Sequence, residues 1–481
     1  MDDALVLVKT GRAMDASCAT RCWLAVLLLC AGQFMDVLDF SIVTIALPAI
    51  GRDLRFSLAD LPWVVNAYAL TLGGCLLLGG AIADLIGRRR TFMAGLALAT
   101  LAALVGGLAT SSSVLVTARA AQGLGMALLS PAALALITTT VPAGPDRTRA
   151  LGVWGGVASA GLAAGVLLGG LLTAGFGWRA VMLVNVPIGL AALVLTPVLL
   201  SEGRVLPPVP LDIRGAVLVT GGLVALVATL AQAGRGGILA PTTLSGLALT
   251  LVLLGTFVAS EARGRAPLVP LHILWSRVRA TATLSIALST GAFAAVFLLL
   301  SLYLQQAGGY TAFTAGLAFL PLALVGLLAS ATLAPWLVAR YSARATLTTG
   351  LLLVAGAGAL LARLPITAAY LVDVLPAMFA LAIGQSIAFT AATASALAGV
   401  RADEQGVASG VLNTAIQVGA AAGIALLVAA ATGATPLHVG DAASVYTVVR
   451  SVHIAGAAGA VLAGVGALLA WIVMGLAVEH G

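Results

Sequence analysis

Residues 34–48 read FMDVLDFSIVTIALP, an apolar run interrupted by two carboxylates, Asp36 and Asp39. The run begins near Cys22 and has the length of a bilayer-spanning helix, about 20 residues at 1.5 Å each. Three helical residues turn the direction by about 300°, so the two carboxylates point toward nearly the same face. Asp39 lies about 17 residues in, roughly 25 Å into a hydrocarbon layer about 30 Å thick. A charge at that depth costs about 2.5–3.5 kcal/mol on insertion scales, so it must face protein or water rather than lipid. Two readings follow: structural aspartates satisfied by a neighbouring helix, or a relay for a proton or cation.

The rest of the chain has the same character. Of 481 residues, 61% are hydrophobic and only 9% charged, against about 25% charged in soluble domains. The chain therefore belongs in a bilayer. Its net charge of +7 does not point to nucleic acid, because the arginines sit in short clusters between apolar runs. Cys18, Cys22, Cys30 and Cys75 lack Cys-x-x-Cys spacing, and His272, His438, His453 and His480 are scattered, so neither a metal site nor a disulfide framework is expected. The first run is longer than a signal-peptide core and is expected to remain as helix 1.

Apolar segments of spanning length fall at 22–48, 62–83, 92–110, 113–140, 148–174, 180–200, 213–234, 242–261, 280–306, 312–338, 345–363, 369–397, 405–432 and 449–478. Fourteen spans put both termini on one side. Placing the N-terminus inside assigns 17 Lys and Arg residues to inner segments and 6 to outer ones, so both termini are expected in the cytoplasm.

The two ends of the chain resemble each other. Residues 84–89, DLIGRR, correspond to 339–344, ARYSAR, an offset of 339 − 84 = 255. Gly161-xxx-Gly165 corresponds to Gly419-xxx-Gly423 at an offset of 258. Similar offsets suggest two six-helix halves with helices 7 and 8 inserted between them, an arrangement known in transporters. The expected organisation is a segment 1–21, a six-helix bundle 22–200, an insert 201–279 and a second bundle 280–478.

Residues 80–90, GAIADLIGRRR, resemble the helix 2–3 signature of the major facilitator superfamily, G-x-L-A-D-R-x-G-R-R/K, with Ile82 and Leu85 replacing the Leu and the first Arg. Gly87 permits a tight turn. Gly80, Asp84, Gly87, Arg88 and Arg89 are expected to form a latch on the inward face, or to fix topology alone. Arg119-Ala-Ala-Gln122-Gly123-Leu-Gly125 is similar to the R-x-x-Q-G-x-G pattern of proton-coupled members. That likeness links Arg119 to proton transfer, with snorkelling to the outer surface as the alternative. Gly161, Gly165, Gly169 and Gly170 resemble the antiporter signature G-x-x-x-G-P-x-x-G-G, with Val166 in the proline position. Such glycines also serve as simple packing.

Other stretches narrow the likeness to the 14-helix drug:proton antiporters: residues 38–48, Gly177-Trp178-Arg179, Asn185-Val-Pro-Ile-Gly189, residues 211–215, Tyr303-Leu-Gln305 and residues 315–321. Asp39 matches the motif aspartate of helix 1. The resemblance implies an all-α major facilitator fold of two six-helix bundles plus two extra central helices. It implies a proton-coupled exporter of amphipathic drugs or antibiotics working by alternating access, with the proton as coupling ion and no other cofactor.

Expected proton-coupling residues are Asp39 as the main group, Asp36 as helper or substrate contact, and Arg119. Burial and a nearby like charge both disfavour an ionised carboxylate, which suits a proton carrier. Gln33, Tyr68, Gln122, Asn185, Gln305, Asn413 and Gln417 are polar positions within spans and candidate substrate contacts. Phe34, Trp63, Phe293, Phe297 and Phe389 could line apolar walls. Lys9 is the only lysine and none lies in the spans, so a site near deprotonated Asp36 or Asp39 is expected to favour a cationic or neutral amphipathic substrate over an anion. No P-loop pattern, metal pair or nucleophile elbow is present, so an enzyme is not expected. The expected setting is a bacterial inner membrane, with lipid around a monomer. A lipid, nutrient or metabolite carrier of the same fold remains an alternative, since one fold hosts many substrates. A membrane sensor is a further alternative.

Overall fold

The computed structural model describes residues 16–58, 60–141, 145–200, 212–237, 239–264, 268–269, 275–366, 368–401, 404–432 and 442–478. These residues form fourteen long helices: α1 (Ala16–Asp53), α2 (Trp63–Ile86), α3 (Arg88–Gly107), α4 (Ser112–Thr140), α5 (Pro145–Phe176), α6 (Trp178–Leu199), α7 (Ile213–Gly236), α8 (Pro241–Arg263), α9 (Arg277–Gln306), α10 (Ala312–Arg340), α11 (Ala343–Leu361), α12 (Tyr370–Leu397), α13 (Gln405–Thr432) and α14 (Ala442–Val478). Thirteen are long and apolar enough to cross a bilayer; in α5 the apolar stretch is Ala160–Phe176. Helices are the form that satisfies every backbone polar group inside hydrocarbon. The chain is a multi-pass membrane protein.

Local chemistry sets several boundaries. Ser111, Asp212, Thr311 and Ser342 each accept a backbone N–H in the first turn of α4, α7, α10 and α11, as N-caps do. The loop expected between helices 2 and 3 is a single residue. Gly87, at φ +107°, ends α2 and begins α3, so Arg88, Arg89 and Arg90 form the first turn of α3. An L side chain is strained at that φ, which is why glycine stands there. The first helix extends beyond the expected 22–48 at both ends, passing through Pro48 to Asp53. The fifth helix runs unbroken past Val166, where the antiporter signature has proline.

Six helices precede α7 and α8, and six follow. Within the first group α4 packs on α2 and α3, and α1 packs on α5. Within the second, α11 packs on α12 and α14, and α9 packs on α13 and α14. The same small-residue contacts recur in both groups. Gly161 and Gly165 bring α5 against α1, and Gly419 and Gly423 bring α13 against α9. Gly95 meets Gly125 between α3 and α4, and Gly350 meets Gly384 between α11 and α12, at offsets of 350 − 95 = 255 and 384 − 125 = 259. Such residues let helix backbones approach closely where lipid provides no hydrophobic drive.

The groups meet through α1 with α9, α2 with α13 and α5 with α10. At the end of the molecule marked by Asp53, buried apolar side chains form one cluster drawn from both groups, from Ile42 and Ile50 to Phe297, Phe319, Leu361 and Val428. At the end marked by Ala16 there are two large clusters. One holds Ala25, Met35, Phe92 and Ile137 of the first group; the other holds Ile286, Leu351, Ala391 and Met474 of the second. The α7–α8 pair lies along the α2–α13 seam, with Val227 and Ala231 against Ala69, Leu70, Val418 and Ala421. Its Gln232 donates to Thr242 across the α7–α8 turn.

Candidate functional site

A carboxylate buried in a membrane helix needs donors, and Asp39 has three. Arg119 Nη1 of α4 forms an ion pair with Asp39 Oδ2. Gln122 Nε2, one turn along α4, donates to Oδ1 at 2.9 Å. Asn185 Nδ2 of α6 donates to the same oxygen at 3.0 Å. Asp39 and Arg119 are each 1% exposed. Arg119 therefore points into the first group and does not snorkel. Its Nε donates to the Val64 carbonyl at 2.8 Å and its Nη1 to Gln122 Oε1 at 2.7 Å, while Cζ stands 4.4 Å from the Tyr68 ring centroid. Buried ionic groups of this kind persist only when paired and hydrogen-bonded.

Asp36 has a different environment, although only three residues away. It is half-buried and accepts a hydrogen bond from the Tyr68 hydroxyl. Gln33, Asp36 and Phe40 follow one another at helical spacing on α1, and all three are half-buried. Phe40 stacks on Phe297 of α9 at 5.9 Å, Phe297 stacks on Phe293 at 5.9 Å, and Phe319 of α10 meets Phe297 at 4.6 Å. One turn beyond Phe40, the Thr44 carbonyl accepts from Ser301 at 3.1 Å and the Ile45 carbonyl from Gln305 at 3.0 Å. The α1–α9 seam is thus tied from Phe40 toward the Asp53 end. Asp36 and Gln33 lie on the other side of that aromatic contact, where the two groups have separate cores. Between residues 291 and 304 of α9, Phe293 alone is not buried.

Three of the α5 glycines pack α5 on α1 within the first group. A Cβ at Gly161 would stand 3.2 Å from Val37 Cβ, one at Gly169 would stand 2.9 Å from the Ile42 carbonyl, and one at Gly165 would overlap Ser41 Oγ. Gly170 turns to α10 instead, where a Cβ would lie 2.7 Å from the Ala312 carbonyl. The tight contact near the 80–90 stretch is at Gly79, just before it, whose Cβ would collide with Ala127 O; one at Gly80 would sit 3.7 Å from Pro131. Arg88 Nη1 donates to the Ala135 carbonyl at 3.4 Å, and Arg89 is half-buried. The Asp84 side chain lies outside the described residues.

The candidate substrate contacts separate into groups. Gln122 and Asn185 are buried donors to Asp39, and Tyr68 is the buried donor to Asp36. Gln305 bridges α9 to α1. Gln417 of α13 is half-buried, and a Cβ at Gly73 of α2 would stand 2.8 Å from its Cβ. Asn413 is exposed and donates to Ser409 O at 3.1 Å. Gln33 is half-buried on the Asp36 face. Sequence reasoning passed over Phe40, although its position four residues after Asp36 places it on that face. It also passed over the Val64 carbonyl, for which side-chain identity carries no signal.

A family model described as Major Facilitator Superfamily matches residues 29–424. The cephamycin export protein of Amycolatopsis lactamdurans is 40% identical over 448 residues, covering 90% of this chain and 91% of that protein. The puromycin resistance protein of Streptomyces alboniger is 40% identical over 464 residues, covering 94% and 92%. Among solved structures, a POT family transporter superimposes with a TM-score of 0.68 at 14% identity, covering 95% of this chain and 99% of that one, a likeness of fold.

Proposed function

This chain belongs to the major facilitator superfamily and is a transporter, not an enzyme, and on that premise we propose that it exports amphipathic antibiotics or drugs in exchange for protons. The supporting observation is the carboxylate pair of α1. Asp39 holds Arg119, Gln122 and Asn185 inside the first group, while Asp36 lies three residues away on the face where the two groups part. Proton and substrate then compete for Asp36 from the opening, and the Asp39–Arg119 pair carries the change into the first group. Half-buried Phe40, one helical turn from Asp36, and Phe293 both stack on Phe297, an aromatic surface that suits a cationic or neutral substrate with an aromatic part. The cephamycin export and puromycin resistance of the two bacterial relatives favour antibiotics over nutrients.

The proposed organisation is two rocking bundles with α7 and α8 outside them. The proposed setting is the inner membrane of a bacterium with both termini cytoplasmic, supported by the distribution of arginine. The Ala16 end then faces the cytoplasm, and the molecule is inward-facing, closed outside by the α1–α9 and α5–α10 seams. The test is puromycin transport by purified protein in liposomes. A proton gradient should drive puromycin against its concentration, with proton movement in the opposite direction. Puromycin flux that ignores the gradient refutes the coupling.

A further inference from the structure

We propose that Tyr68 is a positioning residue tying the proton state of Asp36 to the Arg119–Asp39 pair, an inference that rests on the proton-coupled reading above. Tyr68 is 4% exposed and makes two contacts with different parts of its side chain. Its hydroxyl donates to Asp36 Oδ1, and its ring lies under the Arg119 guanidinium, with Cζ 4.4 Å from the centroid. The carbonyl of Val64, one turn earlier on α2, accepts from Arg119 Nε at 2.8 Å. One turn of α2 therefore seats the guanidinium from below, while Nη1 reaches across to Asp39. Tyr68 thus touches the half-buried carboxylate with its hydroxyl and the buried cation with its ring.

The titratable and charged groups facing Asp36 are Tyr68 from α2, Asp39 from α1 itself and Arg119 from α4. Among the described residues, α5, α6, α9 and α10 turn no charged side chain toward it. A proton arriving from water in the opening adds to a carboxylate oxygen of Asp36, forming one O–H bond and cancelling one negative charge. Tyr68 keeps its own proton. Its hydroxyl then donates to a neutral acid instead of an anion, and charge-assisted bonds are about twice as strong as neutral ones. The ring is held less firmly, and the seat of Arg119 loosens with it. Because the Arg119–Asp39 pair joins α1 to α4, protonation at the opening reaches the interior of the first group without a proton ever reaching Asp39.

The test needs no substrate. The carboxylic C=O infrared band of the purified full-length chain is followed from about pH 4 to about pH 9, the range in which perturbed carboxylates titrate. The titrating band should lose one component in Asp36→Asn. In Tyr68→Phe, which keeps the ring and removes only the donor, the midpoint of that component should move to higher pH by about one unit, because a donor to the charged form is gone. Tyr68→Leu should move the midpoint alike and also lower the unfolding temperature below that of Tyr68→Phe, because the ring under Arg119 is gone too. A midpoint unchanged in Tyr68→Phe, or equal unfolding temperatures for the two variants, overturns the proposal. A chain that titrates as described yet moves puromycin without regard to the proton gradient sinks the antiport reading and leaves the Tyr68 tie standing.

Discussion

Replacing Asp39 by Asn removes one charge, changes the shape little, and leaves Arg119 as a buried cation. Three donors converge on the native carboxylate, from Arg119, Gln122 and Asn185. The Asn amide offers one oxygen to them and turns its own NH2 toward a donor, so at least one bond is lost as well as the ion pair. Breaking a buried pair by removing one partner is destabilising by about 3–5 kcal/mol. At about 2 cal/mol/K per residue, 481 residues give an unfolding entropy of about 1 kcal/mol/K, so the midpoint should fall by about 3–5 °C. Asp36→Asn keeps an amide oxygen for the Tyr68 hydroxyl and loses only the charge assistance, so its midpoint should fall by no more than about 1–2 °C on the same scale. The assay is thermal unfolding of purified protein in detergent, with Arg119→Met and the double variant completing the cycle. The double variant should recover much of the loss, because no uncompensated charge remains. An Asp39→Asn protein as stable as Asp36→Asn, or additive losses around the cycle, would show that the pair does not anchor the first group.

Other expectations follow from packing. Gly165→Ala should destabilise the protein by about 1–3 kcal/mol and impair puromycin flux, because its Cβ overlaps Ser41 Oγ, whereas Gly156→Ala, with nothing within 4 Å, should match wild type in both. Gly87→Ala should destabilise by about 1–3 kcal/mol without altering any charge, since φ +107° strains an L residue; unchanged membrane yield and melting would exclude strain at this turn. Gln305→Leu with Ser301→Ala removes the ties to the Ile45 and Thr44 carbonyls, and should raise the population open at the Asp53 end. Spin labels at Leu54 and Ala312 would report it as a longer distance component, and an unchanged distribution counts against the seal. Cysteines at Arg89 and Ser112 should label differently from outside intact cells; equal labelling would overturn the proposed orientation.

Much of the architecture was legible without coordinates, because it depends on runs of residues rather than on partners. A stretch of about 20 apolar residues has to cross as a helix wherever its neighbours lie. The glycine patterns were equally readable, since Gly161, Gly165 and Gly169 repeat at a spacing that lines one helix face, and that face meets α1. Gly87 announced a turn, and only its brevity, one residue with the arginines already helical, was unexpected.

The partners were not legible. Asp36 and Asp39 differ by about 60° around one helix, a difference that periodicity alone cannot convert into an environment. Packing of α4 and α6 turns Asp39 into an anchor with donors 80, 83 and 146 residues away, and leaves Asp36 on the seam. Gln122 and Asn185, polar positions within spans, suited a substrate site equally well on residue type; their place beside Asp39 comes from the close approach of three helices. Likewise, nothing in the chain's order says which end of the two bundles is packed shut. That depends on where Phe40 meets Phe297 and Gly170 meets α10. Local sequence determines what crosses the membrane and which faces are small, apolar or charged, because those follow from helical geometry and the solvent. Tertiary structure decides which of those faces touch, because a buried charge takes its role from neighbours that only packing brings within hydrogen-bond reach.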